Sequence, residues 1–232
     1  MPTPRILKLV TAVVVVSIFS TPIAAGPAAV DFVDALTGPD SPALVIPFDK
    51  YALTPAGLVR TSAGSGIQNG IDRPVVRTAS GKYLSRDFVF EVDVTIPASH
   101  GDIAYVGLGA ARPNPTLDNE PTSAFLFRIH NLPDMPFYGI DVAVGVPSGG
   151  SGFRGVFRSF DRAGTYTPGR PMRFRIEHRA GVVTLTILDP ATVSRAFTFA
   201  QFADLFDSSN AYLFLGNSSE GTTFRNASLR TP

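Results

Sequence analysis

Phe88-Val89-Phe90-Glu91-Val92-Asp93-Val94-Thr95-Ile96 is the stretch whose reading decides the fold. Phe88, Phe90, Val92, Val94 and Ile96 share one parity and are all apolar, while Glu91, Asp93 and Thr95 hold the other and are all polar. Side chains on a strand point alternately to opposite faces, so this spacing predicts a strand with one face in a core and the other in water.

The pattern recurs along the chain. Met172, Phe174, Ile176 and His178 alternate with Arg173, Arg175, Glu177 and Arg179, and Ala180-Gly181 then leads into Val182 to Leu188. Two such runs joined by a short Gly-containing turn predict a β-hairpin, with His178 on the core side. Ala124 to His130 is apolar on both parities, as in a central strand, and Tyr138 to Val146 is another strand. Ile103 to Ala111 reads as a strand with glycines, Val156 to Phe160 as an edge, and Ala211 to Leu215 and Thr222 to Arg230 as the closing pair. Phe48 to Leu53, Leu58 to Thr61 and Val75 to Ala79 are shorter strands. Helical turns are expected only at Gln201 to Phe206 and at Asp31 to Leu36. With 21 glycines and 20 prolines among 232 residues, about a dozen strands and minimal helix are expected, an all-β antiparallel sandwich or barrel.

The start of the chain has the build of an export signal. Arg5 and Lys8 precede the apolar run Leu9 to Phe19, and the small residues Ala24, Ala25 and Gly26 follow. A membrane span needs ~20 apolar residues, more than this run supplies. The expected organisation is a signal peptide over 1–25, a leader over 26–47 and one domain over 48–232, in a protein secreted or periplasmic and without a transmembrane segment once mature. Lys and Arg number 20 against 19 Asp and Glu, and loss of Arg5 and Lys8 leaves 18 against 19. Bulk charge therefore gives no reason to expect a nucleic-acid partner. The chain has no cysteine, which excludes disulfides, thiol catalysis and thiolate metal sites.

Three features together resemble the concanavalin A-like lectin/glucanase superfamily, including laminin-G-like jelly rolls. They are the strand Phe88 to Val94, the hairpin Met172 to Arg179 into Val182 to Ile187, and the ending Tyr212-Leu213-Phe214-Leu215-Gly216 followed by Gly221 to Leu229. The resemblance covers about Phe48 to Arg230 and implies a jelly roll of two curved antiparallel sheets, with function on the concave face or the rim loops. In the family 16 glycoside hydrolases of this superfamily one strand carries a nucleophilic Glu, a helper Asp and an acid/base Glu. Glu91 and Asp93 match the first two places and are the candidate catalytic residues. The third place falls on Thr95, or on Ile96 in the bulged form, and neither protonates a leaving group. Retaining hydrolysis needs two carboxyl groups about 5–5.5 Å apart, one to attack and one to donate the proton; with the proton donor missing, Glu91 and Asp93 read as wet-face residues of a half-buried strand.

Arg173, Arg175, Glu177 and Arg179 have two readings as well. One is a solvated charged face with weak pairs; the other is an arginine-lined groove for an acidic sugar or carboxylate. The candidate ligand-binding set is Glu91, Asp93, Arg128, Arg173, Arg175 and Glu177. His100, His130 and His178 lie far apart and read as structural rather than as a metal site. Laminin-G-like rim loops often hold calcium, which makes Asp118, Asn119, Asp134 and Asp207 its candidate ligands; otherwise no cofactor is expected. With no Trp in the chain, Tyr105, Tyr138, Tyr166, Tyr212, Phe137 and Phe153 remain as aromatic platforms. Asn217-Ser218-Ser219 and Asn226-Ala227-Ser228 fit the glycosylation pattern. No G-x-S-x-G or phosphate-loop signature is present. The leading expectation is a non-catalytic, lectin-like carbohydrate-binding module. The alternatives are a polysaccharide hydrolase or lyase using Glu91, Asp93, Glu120 or Glu177, and a structural or adhesion protein without a small ligand.

Overall fold

The structure is a computed structural model that describes residues 32–41, 43–61, 75–79, 83, 86–98, 102–110, 123–132, 135–147, 153–198, 211–217 and 220–231. Among the described residues it contains fifteen strands and no α-helix. They are β1 (Phe32–Asp34), β2 (Leu44–Val45), β3 (Tyr51–Thr54), β4 (Gly57–Arg60), β5 (Val75–Thr78), β6 (Phe88–Thr95), β7 (Asp102–Ala110) and β8 (Ser123–Leu132). The rest are β9 (Met135–Pro147), β10 (Phe153–Thr165), β11 (Met172–Arg179), β12 (Val182–Asp189), β13 (Val193–Thr198), β14 (Ala211–Asn217) and β15 (Thr223–Arg230).

Two antiparallel sheets pack face to face. The eight-stranded sheet runs β13-β12-β11-β6-β15-β4-β3, with β1 also paired to β15; the seven-stranded sheet runs β10-β9-β8-β7-β14-β5-β2. The alternation of β6 explains its place near the middle of the first sheet. Phe88, Phe90, Val92 and Val94 are buried, and Val89, Glu91, Asp93 and Thr95 are partly exposed. Fully burying side chains of this size contributes roughly 1.5–3 kcal/mol each. On the neighbouring strand Met172, Phe174, Ile176 and His178 are buried in the same phase. The opposite wall of the core comes from Val106, Leu108, Phe125, Phe127, Ile129, Leu213 and Leu215. Phe127 meets Phe174 across the sandwich with ring centroids 4.8 Å apart.

The hairpin forms where the sequence places it. Arg179 pairs with Val182, and both loop residues have positive φ, 46° at Ala180 and 80° at Gly181. Positive φ at both central positions is the primed turn whose twist matches the strands. His178 lies on the core side as expected, stacked on Phe88 at 5.9 Å, with Nδ1 against the Arg86 carbonyl oxygen. Ala124 to His130 falls within β8, flanked by β7 and β9, and β10 is an edge strand.

Four expectations change. Asp31 to Leu36 gives no helical turn, because Phe32–Asp34 is strand β1, paired with Leu229, Ser228 and Ala227. The stretch 26–47 is not merely a leader, since β1 and β2 are built into the two sheets. Partners distant in the sequence supply their hydrogen bonds, so two- and three-residue strands form without any local period. Phe48 is an exposed turn residue, and the strand there starts at Tyr51. Edge strand β13 was not expected at all; its exposed Ser194, Arg195 and Ala196 give no apolar alternation to read. The expected helical turn at Gln201 to Phe206 lies outside the described residues.

Candidate functional site

Three adjacent strands, β15, β6 and β11, bring the polar parity of the organising strand into register with its neighbours. Arg225, Asp93 and Arg173 form one cross-strand row, Ser228, Glu91 and Arg175 the next, and Arg230, Val89 and Glu177 the third. All lie on the outer face of the eight-stranded sheet, opposite the core.

Charge pairing fixes the middle of this face. Arg173 bridges both carboxylates, its Nη2 donating to Glu91 Oε2 at 2.7 Å and its Nη1 to Asp93 Oδ1 at 3.1 Å. Arg175 Nε donates to Glu91 Oε1 at 2.7 Å. Asp93 Oδ2 accepts from Asn226 Nδ2 at 2.7 Å, and Arg179 Nε donates to Glu177. Burial alone would raise the Glu91 carboxyl. The hydrogen bonds from Arg173 and Arg175, with their positive charges, outweigh it and hold Glu91 below the usual carboxylate range. A carboxyl held ionised is suited to accept hydrogen bonds and not to deliver a proton. The third place of the glycosidase pattern supplies no proton donor either: Thr95 carries a hydroxyl on the outer face, and Ile96 is a hydrocarbon side chain in the core.

Beside the network lies a groove of about 540 Å³ lined by Val89, Glu91, Arg175, Glu177, Arg179, Ser228, Arg230 and Thr231. Five of the six residues expected to bind ligand are thus on one face: Glu91, Asp93, Arg173, Arg175 and Glu177. Arg128 is not among them. It sits on β8, opposite Tyr105 and Gly139, in the other sheet. Sequence reading missed Arg230, Ser228 and Thr231. A β-bulge between Arg225 and Ser228, with Asn226 at φ 51°, shifts the phase of β15 by one residue. Phe224, Ala227 and Leu229 then face the core, which turns Ser228 and Arg230 outward.

The outer face of the other sheet carries an apolar cluster of Leu126 and Phe214 with Tyr105 packed on it. Arg77 lies over the Tyr212 ring at 4.5 Å from its centroid. Phe214 covers Gly107, where a Cβ would fall 2.3 Å from the ring. Of the two glycosylation sequons, Asn217 is fully buried, whereas Asn226 is exposed. His130 is in the seven-stranded sheet and His178 in the eight-stranded one. His100 and the calcium candidates Asp118, Asn119, Asp134 and Asp207 lie outside the described residues, as does Glu120. No helix among the described residues is long and apolar enough to cross a membrane.

The architecture is an antiparallel β-sandwich of two sheets, the fold class that the strand pattern of the sequence predicts. Among solved structures, the Crh5 transglycosylase in complex with NAG superposes with a TM-score of 0.59 at 15% identity, covering 88% of this chain and 85% of that one. Apo Crh5 transglycosylase gives 0.56 at 17% identity over 88% and 84%. The carbohydrate binding module CBM66 from Bacillus subtilis gives 0.48 at 13% identity over 78% and 91%. No protein-family model and no curated sequence matches the chain.

Proposed function

We propose that the chain is a secreted, non-catalytic carbohydrate-binding module whose ligand lies along the outer face of the eight-stranded sheet. The groove beside Glu91 and Arg175 carries this reading. It is open, it is lined by hydrogen-bonding side chains on rigid strands, and Glu91 and Glu177 hold two of its arginines in place. Side chains fixed before the ligand arrives lose little entropy on binding, which favours affinity. Two further observations support it. The fold is shared with a transglycosylase described in complex with a sugar, which makes glycans the first ligands to test, and the first 25 residues have the build of an export signal.

The test is a glycan and polysaccharide binding screen on the chain from Gly26 to Pro232, run with calcium and again with chelator. Saturable binding in both conditions is the expected result, because the groove presents guanidinium N–H donors directly to a ligand. Failure of a folded sample to bind any glycan would overturn the proposal. Binding that needs calcium would move the site to the calcium candidates Asp118, Asn119, Asp134 and Asp207.

The enzymatic alternative makes a separate demand. If Glu91 and Asp93 turned over a polysaccharide, Glu91→Gln would abolish the reaction. On the binding reading, incubation with polysaccharides releases no reducing ends from either form.

A further inference from the structure

The groove combines two arginines already held by carboxylates with a third that is not. Arg175 gives Nε and Nη2 to Glu91, and Arg179 gives Nε to Glu177. Each guanidinium has five N–H donors, so both keep donors for a ligand. Arg230 lines the same groove, is exposed, and its guanidinium has no hydrogen-bond or ion-pair partner among the described residues. The lining therefore holds three cations against two carboxylates, and the surplus charge sits on the arginine that bulged strand β15 turns outward.

Resting on the carbohydrate reading, we propose that this groove is a subsite for an anionic sugar, with the Arg230 guanidinium receiving its carboxylate or sulfate. Arg179 and Arg175 contribute their remaining donors along the same strip. A planar fork matches two acceptor oxygens at once, which an ammonium group does not. The near-neutral whole chain is no obstacle, since recognition comes from three local side chains and not from bulk charge.

The experiment is calorimetric titration with uronate oligosaccharides, a sulfated oligosaccharide, and neutral counterparts, the methyl-esterified form in the case of galacturonate. At least one anionic member is expected to bind about tenfold or more tightly over its neutral counterpart, the size of one charged hydrogen bond. Raising the ionic strength is expected to shrink that gap. Arg230→Gln is expected to erase it while leaving thermal unfolding unchanged, because the side chain is exposed and supports no other group. Equal binding of charged and neutral sugars, or discrimination that survives Arg230→Gln, overturns the anionic subsite and leaves the carbohydrate reading standing. Polyglutamate binding as tightly as the best anionic sugar also overturns it, by showing a response to charge alone. Absence of binding to every glycan overturns both readings together.

Discussion

Glu91 occupies the busiest position on the outer face, between two guanidiniums on the strand next to its own. A carboxyl whose folded-state value is depressed stabilises the fold above the ordinary glutamate range and loses that contribution as pH falls through the depressed value. Stability is therefore expected to decline as pH drops below about 4.5, the ordinary value. Glu91→Gln is expected to flatten that decline and to cost roughly 1 kcal/mol at neutral pH, since both arginines remain more than a third exposed and water screens the pairs. Chemical denaturation of both forms at pH 3.5 and pH 7 checks this. An identical pH dependence in the two forms would mean that the arginines do not depress Glu91. The sequence makes Glu91 and Asp93 legible as wet-face residues because strand parity is a local property. It does not make Arg128 legible, because parity says which face of a strand a residue takes and not which sheet holds the strand.

At the scale of the element, the hairpin β11–β12 was readable and strand β15 was not, for opposite reasons. Burial alternates without a break from Met172 to His178 and resumes over Val182 to Leu185, and the turn needs only two residues. In β15 the phase breaks at Asn226, whose backbone N–H reaches the Ala35 carbonyl oxygen and whose side chain reaches Asp93. Both partners are remote in sequence, so nothing local announces the bulge, and uninterrupted alternation from Phe224 would have sent Arg230 into the core. The charged side of the candidate site was legible on β6 and β11 and illegible on β15. The hairpin also yields a prediction. Ala180 holds φ at 46°, a region unfavourable for a residue with a Cβ and tolerated by Asn. Its backbone N–H donates to Asp87 Oδ1 at 2.9 Å, and the substitution leaves this bond in place. Ala180→Asn is expected to stabilise the protein by about 0.5–1 kcal/mol. A lower melting temperature for the variant would show that the turn does not keep this geometry in solution.

Across the whole molecule, two sheets without a disulfide are joined by more than apolar packing. Tyr51 on β3 and Arg60 on β4 are cross-strand partners in the eight-stranded sheet, and both reach Asn217 at the end of β14 in the other sheet. Tyr51 Oη donates to Asn217 Oδ1 at 2.9 Å and accepts from its backbone N–H at 3.3 Å, and Arg60 Nη1 donates to its carbonyl oxygen. All three are buried, Arg60 to within 1% of full burial. Burying a guanidinium is costly unless its donors are met. Here one of its donors meets a buried main-chain carbonyl, which loses that bond when the guanidinium is removed. This asymmetry decides the expected sign. Replacing both members of a buried polar pair by apolar groups can be neutral, but replacing one leaves the other unsatisfied at about 1–3 kcal/mol, with lost packing added. Arg60→Met removes the donor and cannot remove the carbonyl, so a loss of about 2–4 kcal/mol is expected. In a domain of this size that is a fall of roughly 5–15 °C in Tm. Tyr51→Phe, which deletes one hydroxyl and keeps the ring, is expected to cost less, about 1–2 kcal/mol. Because the tie spans both sheets, calorimetry of each variant should show one cooperative transition moved to lower temperature. An Arg60→Met protein that melts with the parent would mean that the sandwich closes by its apolar core alone.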